Sequence, residues 1–228
     1  MVSFLSVQRE KFLIEDLEII RLTHGVLKTN SYIVKPAEES TAVVIDPGED
    51  PREIIETLDR ENIELNLIVL THGHFDHACS SGQLSRKYGV NIAMSSEDLF
   101  LLDLGREAIS RLGIAWKGCE FWADIDLSKE GNLSISGELS LEVLRTPGHT
   151  PGSVVLLDRS GTIAFTGDTL FRGFVGRTDF PGGNEEMLKK SLKMIKDRIV
   201  EDAILYPGHG PETRLRDEMN WLKEWLEE

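Results

Sequence analysis

Short apolar runs alternate along this chain with segments of helical periodicity. Residues 31–34 and 41–45 are two β-branched runs separated by the polar stretch 35–39, a pattern that predicts a hairpin. From 51 to 60 the apolar positions repeat at helical spacing, and 67–70 is an apolar run with little polar alternation. Such a run is expected of a strand that is covered on both faces. This part of the chain therefore predicts two strands, a helix and a third strand.

The same periodicity extends to the C-terminus. It predicts helices at 84–88, 97–112, 184–200 and 213–226, and strands at 91–94, 133–135, 139–145, 153–158, 162–166 and 203–206. Asn184 is expected to cap the helix that follows it, because its side chain can accept a hydrogen bond from the first free amides. Strands flanked by helices in both halves predict an α/β fold of four layers, an αββα sandwich with two sheets inside and helices outside.

The segment from Gly113 to Asp126 shows no clear periodicity. It holds Trp116, Phe121 and Trp122 close together, which suits either a flap or a packed loop. We expect packing, because aromatic side chains usually contribute to hydrophobic cores.

Length and composition favour one globular domain. The 228 residues suffice to bury a substantial core, 40% of them are hydrophobic, and no Gly/Ser-rich or Pro-rich linker divides the chain. We therefore expect a single domain over 1–228. The N-terminal segment meets charges at Arg9, Glu10 and Lys11 before any long apolar run, which is atypical of a secretory signal or a membrane span. A cytoplasmic protein without a membrane partner is expected.

Charge and cysteine content restrict the partners further. A formal net charge of −14 would repel the phosphate backbone of nucleic acids, so no nucleic-acid partner is expected. Cys79 and Cys119 are too few for a disulfide framework and too isolated for a cysteine-based zinc site, which favours a reducing compartment. The expected partner is a small molecule, and the sequence does not indicate an oligomeric state.

The candidate chemistry is concentrated in the stretch THGHFDHA, residues 71–78. It places three histidines and one aspartate within six positions, directly after a predicted buried strand. Imidazole and carboxylate groups are the usual ligands of Zn²⁺ and of similar ions. His72 and His74 can project the same way from an extended segment, whereas the adjacent Asp76 and His77 would point apart. One cluster could therefore serve two neighbouring cations.

Three further polar residues follow predicted strands in turns rich in glycine or proline. They are His149 in TPGHTPGS, Asp168 in FTGDTL and His209 in YPGHGP. Each turn alone could be ordinary turn chemistry, since Pro-Gly and Gly-Asp are common turn dipeptides. Together with THGHFDHA, however, the three turns favour a metal site. His24 has no such partner motif and is expected to be structural.

These motifs, in this order, resemble those of the metallo-β-lactamase superfamily of metal-dependent hydrolases across nearly the whole chain. The stretches LRTPGHTPGS, FTGDTLF and GRTDFPGG are similar to those of its glyoxalase II-like branch, the hydroxyacylglutathione hydrolases and their short relatives. The resemblance implies the αββα sandwich and two divalent metal ions, with zinc expected and iron or manganese as alternatives. It implies His72, His74 and His149 as ligands of the first metal, Asp76, His77 and His209 as ligands of the second, and Asp168 as the bridge.

The function that this resemblance implies is hydrolysis of an acyl thioester such as S-(2-hydroxyacyl)glutathione. The expected nucleophile is a metal-bridging hydroxide that Asp76 orients. Arg177, in VGRTDF, falls where this branch carries a basic residue near the substrate carboxylate, and it can equally be a structural salt bridge. After His209 the chain has residues for one helix only. Full-length glyoxalase II proteins have a further helical domain that contacts glutathione, so a different thioester stays open.

Three alternatives are compatible with the same motifs. The first is a mononuclear iron persulfide dioxygenase, whose family resembles GRTDF and the first-site motif. The second is a lactonase or phosphodiesterase on the same scaffold, and the third is a metal-dependent binding module without turnover. The motif cannot separate these, because the same His/Asp set accepts zinc, iron or manganese. Aspartate rather than cysteine at position 168 disfavours the zinc β-lactamases proper.

Overall fold

Two β-sheets lie face to face in the computed structural model, which describes residues 7–111 and 120–227. The strands are β1 (Gln8–Ile14), β2 (Leu17–His24), β3 (Thr29–Pro36), β4 (Thr41–Ile45), β5 (Glu64–Val69), β6 (Asn91–Met94), β7 (Ile125–Asp126), β8 (Asn132–Ser134), β9 (Ser140–Arg145), β10 (Val154–Asp158), β11 (Ile163–Gly167), β12 (Leu170–Phe171), β13 (Phe174–Val175), β14 (Ile204–Pro207) and β15 (Thr213–Arg214). The helices are α1 (Arg52–Glu61), α2 (Phe75–Ala78), α3 (Ser81–Tyr88), α4 (Leu99–Arg111), α5 (Glu185–Arg198) and α6 (Leu215–Glu227).

The first sheet runs in chain order from β1 to β7, and the second has the order β15-β14-β11-β10-β9-β8. Strand β4 is parallel to β5, and β11 is parallel to β14. Strand β10 is antiparallel to both β9 and β11, so β9 runs in the same direction as β11. The carboxyl ends of β9, β11 and β14 therefore lie at one edge of the second sheet, as those of β4 and β5 do in the first.

The alternation of side chains along each strand explains the layers. Tyr32 and Val34 of β3 are buried between the two sheets, where Tyr32 packs against Phe165 of β11. Ile33, between them in sequence, packs in the outer cluster that includes α1 and α3. Helices α5 and α6 cover the outer face of the second sheet in the same way, with Leu192 among the buried side chains. The predicted α/β fold, a four-layer αββα sandwich, is confirmed.

Most predicted elements are present, with boundaries shifted by a few residues. Asn184 caps α5, since its side-chain oxygen accepts a hydrogen bond from the Met187 amide at 3.0 Å. The predicted helix 97–112 begins instead with a 3-10 turn at Ser96–Asp98 before α4. Strands β1 and β2 were not predicted, because the charged residues of β1 broke the apolar pattern. Charge of this kind is typical of an edge strand.

The structure tests the predicted packing of the aromatic segment only in part. Trp116 lies outside the described residues, so the prediction is not tested for this side chain. Phe121 is partly buried against the outer cluster of the first sheet, so packing is confirmed for this side chain. Trp122 is 86% exposed, and the prediction was wrong for it. Packing therefore describes one of the two aromatic side chains that the structure can test.

Two further expectations concern the environment of the chain. Cys79, directly after α2, is buried and disulfide-bonded, so the expectation of reduced cysteines was wrong at this residue. Among the described residues no helix combines the length and the apolar character that crossing a membrane requires.

Candidate metal centre

All seven predicted ligands meet at the edge of the sandwich where the carboxyl ends of five strands lie. Each is in a loop, or in a short helix, that begins within a few residues of a strand end, after β5, β9, β11 or β14. The residues fall into groups whose potential ligand atoms lie within 4.8 Å of one another. One group is His72, His74 and His149, and another is Asp76, His77 and His209.

The first group consists of three imidazoles. Nε2 of His149 lies 3.1 Å from Nδ1 of His74, and the His72 ring is edge-on to the other two. Nδ1–H of His149 donates to the carbonyl oxygen of Arg177 at 2.7 Å, because a carbonyl can only accept. The lone pair of this histidine is therefore on Nε2, facing His74.

A side-chain acceptor fixes the tautomer of His72 as well. The Thr71 hydroxyl donates to Oδ2 of Asp46 at 2.6 Å, so its oxygen accepts from Nδ1–H of His72 at 3.1 Å. This leaves the lone pair of His72 on Nε2, which is buried and has no hydrogen-bond partner in the described residues. A buried acceptor without a partner is costly, and a cation at this position would satisfy it.

The second group combines two imidazoles with a carboxylate. Nε2 of His77 lies 3.3 Å from Nε2 of His209, and Oδ2 of Asp76 lies 3.3 Å from the same His209 atom. Nδ1–H of His77 donates to Oδ2 of Asp46 at 2.9 Å, so its Nε2 is free to face the group. Thr29 donates its hydroxyl to Oδ2 of Asp76 at 3.1 Å and fixes that carboxylate.

Asp168 lies between the two groups. Its Oδ2 is 3.6 Å from Nε2 of His149 and 3.6 Å from Nε2 of His209, and its Oδ1 is 3.5 Å from Nε2 of His77. Oδ1 is buried and without a hydrogen-bond partner among the described residues. This position fits the bridging role that the resemblance implied.

The turn that carries His209 approaches these ligands so closely that it needs a glycine. A Cβ on Gly208 would lie 2.3 Å from Oδ1 of Asp168 and 2.5 Å from Cε1 of His77. The glycine in YPGHGP therefore has a steric cause at the site itself.

Burial and carboxylates shift the histidine pKa values in opposite directions in the two groups. Burial lowers the pKa of His72 well below its ordinary value and that of His74 to about 3, which keeps both imidazoles neutral. Burial also lowers the pKa of His77, but the nearby carboxylates, with Asp76 first, outweigh it and raise that pKa to about 10. The second group thus favours a positive charge, which a divalent cation can supply in place of a proton.

The donor atoms therefore fit divalent cations on grounds of this structure alone. Neutral imidazole nitrogens and carboxylate oxygens suit zinc, iron and manganese. Nε2 of His72 and Oδ1 of Asp168 are buried acceptors that a cation would satisfy. The two groups with Asp168 between them offer seven donor residues in all.

Two acidic residues that support the ligands were missed in the sequence. Asp46 is close enough to His72 and His77 to be considered as a third ligand group. Its oxygens, however, already accept hydrogen bonds from the Thr71 amide at 2.8 Å, the Thr71 hydroxyl and His77. We therefore assign Asp46 to orienting the ligands. Its position in VVIDPG, directly after a buried strand, was the available signal.

Asp98 is fully buried beneath the first group. Its oxygens accept hydrogen bonds from the Gly73 amide at 2.9 Å, the Gly152 amide at 2.7 Å and the Thr150 hydroxyl at 2.7 Å. Asp98 thereby ties the loop of His72 and His74 to the loop of His149. The sequence offered no signal for it, because it lies within a predicted helix.

Two other residues named from the sequence lie beside the site. His24 is buried and shares a hydrogen bond of 2.7 Å with the Ser31 hydroxyl, which donates to the carbonyl of Asp46. It contacts none of the predicted ligands through a described hydrogen bond and has the structural position that we expected. Arg177 borders the cleft above the ligands, but its guanidinium forms two hydrogen bonds with Asp179, at 2.8 and 2.7 Å.

Comparison with known proteins agrees with this geometry. A model of the metallo-beta-lactamase superfamily matches residues 10–209, which include all seven candidate ligand positions. The chain is 36% identical over 182 residues to hydroxyacylglutathione hydrolase GloC of Haemophilus influenzae, covering 79% of this chain and 85% of that protein. It is similar to the structure of BLEG-1 B3 metallo-beta-lactamase, with a TM-score of 0.81 and 32% identity over 89% of this chain and 98% of that one. It is also similar to TTHA1623 in a di-iron-bound form, with a TM-score of 0.76 and 32% identity over 88% of this chain and 96% of that one.

Proposed function

The chain belongs to the metallo-β-lactamase superfamily, and we propose that it is a metal-dependent hydrolase that uses two divalent cations to cleave acyl thioesters. The observation that supports two cations is the position of Asp168, with Oδ2 at 3.6 Å from both His149 and His209. A single cation in the first group would leave the donor atoms of the second group, which include the buried carboxylate of Asp76, without a bound cation. Zinc is the proposed metal, with iron or manganese as alternatives, since the donor set suits all three.

When bound, the cations would lower the pKa of water from 15.7 toward about 7 and polarise the substrate carbonyl. The protein's own residues hold the reacting groups in place. Asp76 presents its carboxylate beside His77 and His209, with Thr29 fixing one of its oxygens by a hydrogen bond of 3.1 Å. In this position Asp76 can accept a hydrogen bond from the attacking water and orient it toward the acyl carbon.

Two arguments support a thioester as the substrate. The relative from Haemophilus influenzae is named as a hydroxyacylglutathione hydrolase, at 36% identity. In such a reaction the water oxygen bonds to the acyl carbon, the carbon–sulfur bond breaks, and the thiol leaves with a proton. A thiolate is a good leaving group, which suits a cleft whose described lining offers no lysine and whose one arginine, Arg177, is paired with Asp179. S-(2-hydroxyacyl)glutathione belongs to the proposed substrate class.

The proposal is tested by metal analysis combined with activity assays on one preparation, with an acyl thioester, glutathione persulfide, a chromogenic cephalosporin, a lactone and a phosphodiester as substrates. Protein purified without chelators should contain two divalent metals per chain and should cleave an acyl thioester, with the released thiol detected by a chromogenic disulfide. Oxygen uptake with glutathione persulfide should be absent, and so should cleavage of a chromogenic cephalosporin.

Each alternative gives a different result in this set. One iron per chain with oxygen uptake would indicate a persulfide dioxygenase. Cleavage of a lactone or a phosphodiester with intact thioester would indicate the other hydrolases of this scaffold. Bound metal without turnover of any of these substrates would indicate a binding module, and any of these results would overturn the proposal.

A further inference from the structure

The metal ligands lie at the floor of a cleft with a volume of about 490 Å³. This volume is within the range of about 300 to 1,000 Å³ that is typical of small-molecule sites. Five of the residues along it are predicted metal ligands, His74, Asp76, His149, Asp168 and His209, so the cleft opens directly onto the candidate centre. What lines the rest of the cleft therefore bears on the substrate.

The upper walls of the cleft carry large apolar side chains that are open to solvent. Phe174 is 55% exposed, Leu27 is 50% exposed, Phe180 is 41% exposed and Leu104 is 40% exposed. They come from four separate parts of the chain: β13, the turn between β2 and β3, the loop before α5, and α4. Several exposed apolar side chains that converge on one concavity are typical of a binding site, whereas single ones are not informative.

The apolar surface continues down to the ligands. Phe174 stacks on Phe171 with ring centroids 4.6 Å apart, and Phe171 is 6.4 Å from the His209 ring. Phe180, in the loop before α5, is edge-on to His74 at 5.7 Å. An apolar group bound to these rings would therefore lie beside the bond that the centre cleaves.

Charged groups at the mouth do not match a highly charged substrate. Among the described residues that line the cleft, Arg177 is the one lysine or arginine. Its guanidinium is bidentate to Asp179, and it also lies over the Phe180 ring at 4.2 Å from the centroid. The positive charge of Arg177 is thus balanced by a neighbouring carboxylate.

We propose that this cleft binds a hydrocarbon group of several carbons next to the scissile bond, so that the preferred substrates are thioesters with an uncharged alkyl or aryl portion. The inference rests on the proposed thioester hydrolysis for its chemistry, and on Phe174, Phe180, Leu27 and Leu104 for its selectivity. The inference predicts that a thioester of a small polar acyl group with a highly charged thiol is a poorer substrate than a thioester with an apolar acyl group or thiol.

The first experiment measures binding without catalysis. Metal-free protein is titrated with the octyl and the methyl thioethers of N-acetylcysteamine, which lack a thioester carbonyl and cannot be cleaved, and binding is followed by calorimetry. Burial of a methylene corresponds to about fourfold in affinity at most, so partial burial of the octyl chain should give at least a tenfold preference over methyl. Equal binding of the two thioethers would overturn the inference.

Variants locate the hydrocarbon in the cleft. Phe174→Ser and Leu104→Ser should each reduce the octyl preference about threefold or more, because each removes apolar surface that the chain would cover. Both side chains are at least 40% exposed, so the fold should tolerate the changes. Leu13→Ser is the matched control, since Leu13 is 69% exposed on β1 and does not line the cleft. An equal loss in this control would contradict the assignment.

The second experiment uses the metal-loaded enzyme and separates the two sides of the bond. One series varies the acyl group from acetyl to octanoyl on N-acetylcysteamine, and the other keeps acetyl and varies the thiol from ethanethiol to hexanethiol. We expect kcat/KM to rise about two- to fourfold per methylene in one series, which then identifies the side that the cleft holds. S-(2-hydroxypropionyl)glutathione should have a lower kcat/KM than the best member.

The outcomes distinguish this inference from the function on which it rests. Thioester cleavage with a flat response in both series would retain the hydrolase and overturn the hydrocarbon preference. Octyl binding by the metal-free protein without cleavage of any thioester would retain the apolar site and overturn the proposed reaction. The native protein could also self-associate through these apolar side chains. Loss of self-association in Phe174→Ser with unchanged thioether binding would assign them to a contact between copies instead.

Discussion

Oδ2 of Asp46 lies 2.9 Å from Nδ1 of His77, with both side chains buried. A carboxylate can only accept, so this contact holds one proton on Nδ1, and in the neutral imidazole that a metal requires the lone pair of His77 is on Nε2. That nitrogen faces Asp76 and His209, at 3.5 and 3.3 Å from their nearest ligand atoms. A residue outside the predicted ligand set thus determines which atom of His77 is offered to a metal.

Asp46→Asn should therefore weaken the binding of one metal more than it lowers the stability of the fold. The amide keeps the shape and tolerates the positive φ of this residue, 49°, but it offers one acceptor oxygen where three hydrogen bonds are now accepted. We expect a loss of about 10- to 100-fold in affinity for one metal per chain. Competition with a chromogenic chelator measures it. Asp50→Asn is the control, because Asp50 forms a surface pair with Arg52.

Asp168→Ala tests the residue that lies between the two groups. Its oxygens are 3.5 to 3.6 Å from nitrogens of His77, His149 and His209, so both cations would lose a ligand. The bound metal, measured by elemental analysis, should fall from two per chain to one or fewer, and thioesterase activity should fall with it. Asp202→Ala, at an exposed residue, should change neither quantity. Full metal content with full activity in Asp168→Ala would show that Asp168 does not bridge.

That the candidate ligands lie together could be predicted from the sequence for a physical reason, and this reason does not extend to the residues that support them. His72, His149, Asp168 and His209 each occupy a turn directly after an apolar strand, and parallel strands bring such turns to one edge of a sheet. Asp98 instead acts through backbone amides of two loops that are distant in sequence. No pattern of side-chain types records such contacts.

The exposed apolar side chains of the cleft could not be predicted from the sequence either. Phe174 and Leu104 are far apart in the chain, and each is unremarkable in its own segment. Only the fold, which brings α4 and β13 to one cleft, places them together. Likewise Arg177 lines the cleft, but the sequence could not distinguish its pairing with Asp179, two residues on, from a free substrate contact.

Asp98→Ala should lower the stability of the metal-free protein. The Gly73 and Gly152 amides would lose their carboxylate acceptor inside the protein, and each buried unsatisfied donor costs about 1 to 3 kcal/mol. We expect a decrease of about 2 to 5 kcal/mol in the free energy of unfolding by urea. Asp103→Ala, at an exposed position of α4, should cost less than about 1 kcal/mol. Equal stability of the two variants would show that Asp98 does not stabilise the fold through these two amides.

His24 should contribute to acid sensitivity. Burial lowers its pKa from 6.5 to about 4, so the unfolded chain binds a proton below pH 6.5 that the folded chain refuses until about pH 4. Stability due to this residue is complete above pH 6.5 and decreases as the pH falls toward 4, by about 3 kcal/mol in total. Urea unfolding of metal-free protein at pH 7 and pH 4.5 should show a smaller difference for His24→Gln than for the native chain. The same pH dependence in both proteins would contradict this cause.

Metal loading at pH 7 should release at least one proton. Without a cation, burial and then the carboxylates of Asp76, Asp168 and Asp46 set the pKa of His77, and the carboxylates prevail and raise it to about 10. His77 is therefore protonated at pH 7 in the metal-free protein, whereas a ligand must be a neutral imidazole. Calorimetric titration of zinc in two buffers with different ionisation enthalpies measures the number of protons released from the difference in heat. Apparent affinity should also rise about tenfold per pH unit for each released proton between pH 6 and 8. Identical heats in both buffers would mean that His77 is neutral before the metal binds, or that it does not bind metal.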